Sequence, residues 1–336
     1  MRQIAYKKKS LSDLEPKDAV DIGDSSYVVL KVLKGGMGRV IILRKTSAYS
    51  FKANDLGGNI VLKAPLTSMS SENAVDLFKR ELTVWAGFSH RCIAPLIDII
   101  DSPECGWIAV MRRHEGSLRD LMKRTEIFSL KEAMIVAESA LLGLEYAFNK
   151  DGVVHLDIKP ENILFDKRLS TPADKPNEEK MRPYEYRVSD WGIASIKQEK
   201  LIQANNSTAA IATAFDTLNG MGTTLYMAPE RFEGAASSIA SDIYSLGMML
   251  IEMLTGKMPL ETYCDKSYQI YQIKKEMYYN RAKEQLKASG LHPKMHQAIL
   301  SMIHPDLHKR PASYKALEAS LLKGYRQSTS IFSKLF

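Results

Sequence analysis

The prevailing spacing of apolar residues in this chain changes near Gly116, and that change narrows the folds open to it. Before it they come in short, β-branched runs broken by glycines. Tyr27 to Leu33, Val40 to Leu43, Asn59 to Ala64, Pro95 to Asp101 and Trp107 to Arg112 each read as a strand. One helix interrupts them over 72–88, where Val75, Leu77, Phe78, Leu82 and Trp85 recur at helical spacing. After Gly116 long helical patterns take over. Ser129 and Glu132 form a capping box that opens a helix running to Asn149. A buried helix is expected from Ser237 to Leu254, and further helices over 263–288, 291–304 and 313–323. The expected fold class is α+β in two lobes: a five-stranded antiparallel lobe with one helix over 26–115, then a mainly α-helical lobe over 116–325. Residues 1–25 read as a polar lead-in and 326–336 as a tail. A chain of 336 residues is long for one core and comfortable for two lobes.

Composition excludes several classes. Cys92, Cys105 and Cys264 lack the spacing of a disulfide framework or a zinc site and suggest a reducing compartment, hence a cytoplasmic location. Lys7-Lys8-Lys9 is followed by no apolar run, so a signal peptide or anchor is not expected, and Arg2 excludes N-myristoylation. No stretch is long and apolar enough for a membrane span. The formal net charge is +7, and from Lys257 onward 14 basic residues face 6 acidic ones. That excess reads either as a solvated basic surface or as a docking face for acidic partners or a membrane surface. No nucleic-acid module is present, so nucleic acid is not an expected partner.

Chemistry concentrates in a few strings. Lys34-Gly35-Gly36-Met37-Gly38-Arg39-Val40 lies between two predicted strands. Glycines let backbone amides approach a phosphate closely, and the hairpin setting argues against a dinucleotide fold or a Walker loop. Alone, the loop equally fits an ordinary tight hairpin. Lys63 sits on a predicted central strand, where an inward cation is costly unless paired. Farther on come His155-Leu156-Asp157-Ile158-Lys159-Pro160-Glu161-Asn162, then Asp190-Trp191-Gly192, then Ala228-Pro229-Glu230. A proline-containing insertion between the first two strings, from Lys167 to Arg187, reads as a surface loop.

In that order the strings resemble the catalytic loop, metal-binding turn and platform anchor of Hanks-type serine/threonine protein kinases, over roughly residues 27–323. The resemblance implies a bilobal kinase fold and ATP-dependent phosphorylation of protein serine and threonine hydroxyls, autophosphorylation included. It implies Asp157 as the base, Lys159 on the γ-phosphate, and Thr223 bonded to both. Lys63 would hold the α- and β-phosphates with Glu81 as its ion-pair partner. Asn162 and Asp190 would bind Mg²⁺ or Mn²⁺. Leu33, Gly35, Gly36, Gly38, Val40, Val61, Met111, His114 and Leu164 would surround the nucleotide. Glu230 would pair with Arg310, and Asp242 would brace the catalytic-loop backbone or simply cap its helix.

The chain departs from the family at several points. Leu33 replaces the first glycine of the loop, and Val61 replaces the usual alanine. Trp191 replaces phenylalanine and is expected to stack with His155, Trp85 and Leu96. Leu156 replaces the arginine that grips an activation-loop phosphate, so that switch is not expected here. The long segment from Asp190 to Glu230 carries Ser195, Ser207, Thr208, Thr213 and Thr217, and reads as a mobile loop, a helix or a docking element. A pseudokinase scaffold that binds nucleotide and partners is the alternative if these changes impair transfer.

Overall fold

The computed structural model describes residues 4–6, 11–23, 25–35, 38–46, 58–65, 79, 82–102, 106–168, 183–191, 225–233, 238–259 and 277–332. Gly36, Glu81 and Thr223 lie outside them, as do Cys105, Cys264, most of the 167–187 insertion and the serines and threonines from Ser195 to Thr217. The chain divides into two compact units, one built mainly from 1–89 and 94–114 and the other mainly from 115–190 and 197–336.

The first unit is an antiparallel sheet with strand order β1-β2-β3-β4-β5-β7-β6. Its strands are β1 (Ile4–Tyr6), β2 (Ala19–Ile22), β3 (Ser25–Gly35), β4 (Gly38–Lys45), β5 (Asn59–Pro65), β6 (Leu96–Ser102) and β7 (Gly106–Arg112). Among the described residues the sheet therefore has seven strands where the sequence suggested five. The two extra ones come from the stretch read as a polar lead-in. In β2, Val20 and Ile22 are buried while Ala19 is exposed, a period of two that pairs with β3. Leu11 and Leu14, beside a short 3-10 turn, join Ile41, Leu43, Ile60, Leu62, Ile100, Ile108 and Val110 in one apolar cluster. Burying that many aliphatic side chains is the main force holding the unit together. Helix is described over 82–86, within the predicted 72–88.

The second unit is mainly helical. It contains a small sheet of β8 (Gly116–Ser117), β9 (Ile163–Lys167) and β10 (Tyr184–Val188). Its helices are α1 (Leu118–Met122), α2 (Leu130–Asp151), α3 (Pro229–Phe232), α4 (Ile239–Thr255), α5 (Tyr278–Ala288), α6 (Pro293–Met302) and α7 (Tyr314–Phe332). The Ser129 side chain accepts from the Glu132 amide and Glu132 answers the Ser129 amide, as the capping-box reading required. Helix α4 is buried from Ser241 to Leu254 and forms the axis of this unit. Gly247 permits its close packing: a β-carbon there would meet the Met302 and Ile303 side chains at 2.8 Å. Helix α7 runs on to Phe332, into the stretch read as a tail. Among the described residues, no helix is long and apolar enough to cross a membrane.

Candidate active site

The catalytic-loop string occupies an irregular stretch between α2 and β9, all within the second unit. Sheet register explains which residues meet there. Val188 of β10 pairs with Ile163 of β9, so the residues just outside the ladder, Ser189-Asp190 and Asn162, come side by side. Ser189 seals the arrangement: its amide and its hydroxyl both donate to the Asn162 carbonyl, at 2.9 and 3.1 Å. The His155 ring bonds the Ser189 carbonyl at 2.8 Å through Nε2, and its Nδ1 accepts from the Asp157 amide at 3.2 Å. The loop and the start of the Asp190 turn are thus tied into one polar cluster.

Asp157 is the centre of that cluster. Its Oδ2 lies 3.0 Å from the Lys159 ammonium and accepts from Asn162 Nδ2 at 3.1 Å. Asn162 Nδ2 also donates to the Asp157 carbonyl at 2.8 Å. Both donor bonds of the amide are spent on Asp157, so Oδ1 is the end of the amide left to accept. Burial works against the charge on Lys159, but Asp157, with Glu161 and Asp190 nearby, holds its ammonium above the ordinary lysine range. Lys159 therefore stays a cation at neutral pH.

A Mg²⁺ ion fits these residues. Among the described residues, no group of three or more histidines, cysteines or carboxylates could hold a metal. Mg²⁺ needs none, because it binds through one or two protein oxygens and completes its shell with phosphate and water. Asn162 Oδ1 and the adjacent Asp190 carboxylate are such a pair of hard oxygen donors, presented by the register of β9 and β10.

The loop backbone is held from beneath. Leu156 and Asp190 have φ of 65° and 67°, left-handed values that a non-glycine residue adopts at a cost. At Leu156 the compensating contact is visible. Asp242, fully buried at the start of α4, accepts from the Leu156 amide at 2.6 Å and the His155 amide at 2.8 Å. Tyr314 of α7 donates to the same carboxylate at 2.9 Å. Burial pushes the Asp242 carboxyl up from its ordinary value, against the pull of His155, the two amides and Tyr314. Arg310 meets Glu230 in a fork-to-fork ion pair at 2.7 and 2.9 Å. It also donates to the carbonyls of His304 and Ala240, and its guanidinium lies 4.8 Å from the Tyr244 ring centre. Those bonds offset the desolvation of a fully buried arginine side chain.

The sequence did not reveal a second polar cluster in this unit. Arg119 of α1 donates to Glu161 at 2.8 Å and to Glu252 at 2.6 Å, and it also bonds the Tyr226 hydroxyl, which bonds Glu252. It joins the catalytic loop to the stretch before Ala228-Pro229-Glu230. Its members are separated by 26 to 133 positions, so no local spacing could have announced it.

In the first unit, register gathers several predicted nucleotide contacts. Val40 lies opposite Lys63, Ile42 opposite Val61, and Val61 opposite Met111. Cross-strand partners share a face, so Val40, Val61, Lys63 and Met111 line one side of the sheet. Leu33 pairs with Val40 and Gly35 with Gly38, which makes the glycine-rich segment the tip of the β3–β4 hairpin. His114 follows β7, just beyond the bond from the Arg113 amide to the Asn59 carbonyl. Leu164 belongs to β9 of the second unit, opposite Ser117. Trp191 packs edge-on against Phe88 with ring centres 5.2 Å apart, a partner the sequence reading did not name, while Trp85 donates to the Ala94 carbonyl at 2.8 Å.

Comparison with known proteins agrees with this geometry. Residues 42–322 match the protein kinase domain family. The chain is 28% identical over 256 residues to the probable serine/threonine-protein kinase pknA2 of Bifidobacterium longum, an overlap that covers 75% of this chain and 29% of that protein. It is 29% identical over 252 residues to serine/threonine-protein kinase PknA of Mycobacterium tuberculosis, covering 73% and 50%. Mitogen-activated protein kinase kinase 1c of Physcomitrium patens is 26% identical over 221 residues, covering 66% and 56%. This chain belongs to the protein kinase domain family. It spans between 29% and 56% of the lengths of these three relatives.

Proposed function

We propose that the chain transfers the γ-phosphoryl group of ATP to serine and threonine hydroxyls of proteins, its own among them. The observation that carries this reading is the Asp157–Lys159–Asn162 cluster. Asp157 Oδ2 is held by Lys159 and Asn162, which orients the carboxylate that would take the proton of the substrate hydroxyl. The freed oxygen attacks the γ-phosphorus, and the bond to the β-phosphate oxygen breaks with ADP as leaving group. Lys159, held cationic, would meet the charge on the transferring group. Asn162 Oδ1 and Asp190 would hold Mg²⁺, with Mn²⁺ as a substitute. When bound, the ion neutralises charge on the phosphates.

The remaining assignments complete the site. Lys63, paired with Glu81, would hold the α- and β-phosphates, and Thr223 would bond Asp157 and Lys159. The glycine-rich tip would cover the phosphates through its amides. Val40, Val61, Met111, His114 and Leu164 would enclose the adenine. Lobes over 26–115 and 116–325 and a cytoplasmic location suit this reading. The basic stretch after Lys257 is a candidate docking face for an acidic partner. The test is transfer of labelled phosphate from ATP to a generic basic protein, followed by phosphoamino-acid analysis. Phosphoserine and phosphothreonine support the proposal; phosphotyrosine alone would overturn the acceptor assignment.

Leu156 adds a regulatory expectation. A leucine cannot bind an activation-loop phosphate, and its backbone is already fixed by Asp242. Replacing the serines and threonines from Ser195 to Thr217 with alanine should therefore leave transfer to an added substrate within about twofold of wild type, an effect of under ~0.5 kcal/mol. Abolished transfer would restore the phosphate switch.

A further inference from the structure

The N-terminal stretch does more than extend the sheet. Arg39 follows the last glycine of the glycine-rich loop and lies opposite Ala64. Strand alternation puts it on the face of Ile41 and Leu43, not on the face of Val40 and Lys63. It therefore points away from the side proposed to hold phosphate and toward the core that Leu11 and Leu14 cover. There its Nη1 donates to the Leu11 carbonyl at 3.2 Å, while its buried Nε has no hydrogen-bond partner among the described residues. A half-satisfied guanidinium is a costly way to fill an apolar edge. What it supplies is a link between positions 28 residues apart.

The same stretch grips the other leg of the hairpin. Strand β2 pairs with β3 from Ser25 to Val28. Beyond the ladder the Lys17 amide donates to the Val29 carbonyl at 2.8 Å, and the Val29 amide to the Asp18 carbonyl at 2.9 Å. The Asp18 side chain closes a turn by accepting from the Glu15 amide at 2.8 Å. Residues 11–22 thus hold β3 at Val29 and β4 at Arg39, the two legs that end in the Gly35–Gly38 pair.

We propose that residues 11–22 clamp the glycine-rich hairpin and that Arg39 is a positioning residue for nucleotide binding, acting through the Leu11 carbonyl. The proposal rests on the reading that this hairpin covers the phosphates of ATP. Freeing Arg39 loosens the tip whose amides must be ordered when nucleotide binds, so affinity suffers while the catalytic loop does not change.

The test is ATP binding and steady-state kinetics on wild type, Arg39→Ala, Arg39→Lys, Leu11→Ala and the Arg39→Ala/Leu11→Ala double variant. Arg39→Ala should weaken ATP binding and raise KM for ATP by about 3- to 10-fold, with kcat within about twofold. Arg39→Lys, which keeps a donor, should recover most of the loss. Amide exchange should quicken over 33–41 and not in α4. In the double variant the Leu11 substitution should add less than it does alone, because the buried Leu11 side chain acts by seating the segment whose carbonyl Arg39 bonds. Unchanged ATP binding in Arg39→Ala, an equal fall in kcat, or full additivity overturns the clamp and leaves the kinase reading standing. If wild type binds no ATP, the kinase reading fails and the clamp falls with it.

Discussion

In the catalytic loop, Asp242 takes the amides of His155 and Leu156, Asn162 takes both ends of Asp157, and Ser189 takes the Asn162 carbonyl. In the glycine-rich hairpin and the neighbouring β5, the aliphatic face of Ile41, Leu43, Ile60 and Leu62 is buried, and Arg39 adds one side-chain bond at the edge. The first region is held by directional polar bonds that fix each atom. The second is held mainly by apolar burial, which fixes a face of the sheet without fixing each atom. The difference matches the tasks proposed for them. A base must sit at hydrogen-bond distance from a hydroxyl, whereas a phosphate cover must open and close.

Breaking the polar side should cost most. Arg310→Met leaves Glu230 buried without its cation and should lower unfolding free energy by about 3–5 kcal/mol, read by urea denaturation. On the apolar side, Leu62→Ala empties a fully buried position and should cost about 2–5 kcal/mol in the same measurement, through a cavity and not through a lost bond. The kinetic signatures should separate the two sides. Leu62→Ala should act on KM for ATP more than on kcat, since it lies behind the face proposed to hold nucleotide. Tyr314→Phe sharpens the comparison with the smallest change. It removes one of three bonds to Asp242 and should cost about 1–2 kcal/mol. It should lower kcat and leave KM for ATP in place, because Asp242 acts on the loop backbone. A reversed pattern in either variant would end the division of labour drawn between the two regions.

Local signals made part of this legible in the sequence. Ser129 and Glu132 announced the start of α2 because a capping box lies within one turn. The β3–β4 hairpin was legible from two β-branched runs around glycines, and the β4–β5 register then set Val40 against Lys63. The Arg310–Glu230 pair came from the resemblance, since nothing local links positions 80 residues apart. The strands at Ile4–Tyr6 and Ala19–Ile22 escaped because three or four residues carry too little alternation to stand out in a polar stretch. Arg119 escaped for a different reason. Its partners Glu161, Tyr226 and Glu252 lie on separate elements, and only the tertiary fold makes one charged residue on α1 matter more than its neighbours.

The central claim is that Asp157, oriented by Lys159 and Asn162, is the base for phosphoryl transfer to a protein hydroxyl. Labelled transfer from Mg²⁺-ATP to a basic protein, measured beside ATP binding for wild type and Asp157→Asn, tests it most directly. The account predicts that the variant binds ATP as wild type does and transfers phosphate about 10²- to 10⁴-fold more slowly. Equal transfer by both proteins, or ATP binding without transfer by wild type, would contradict it.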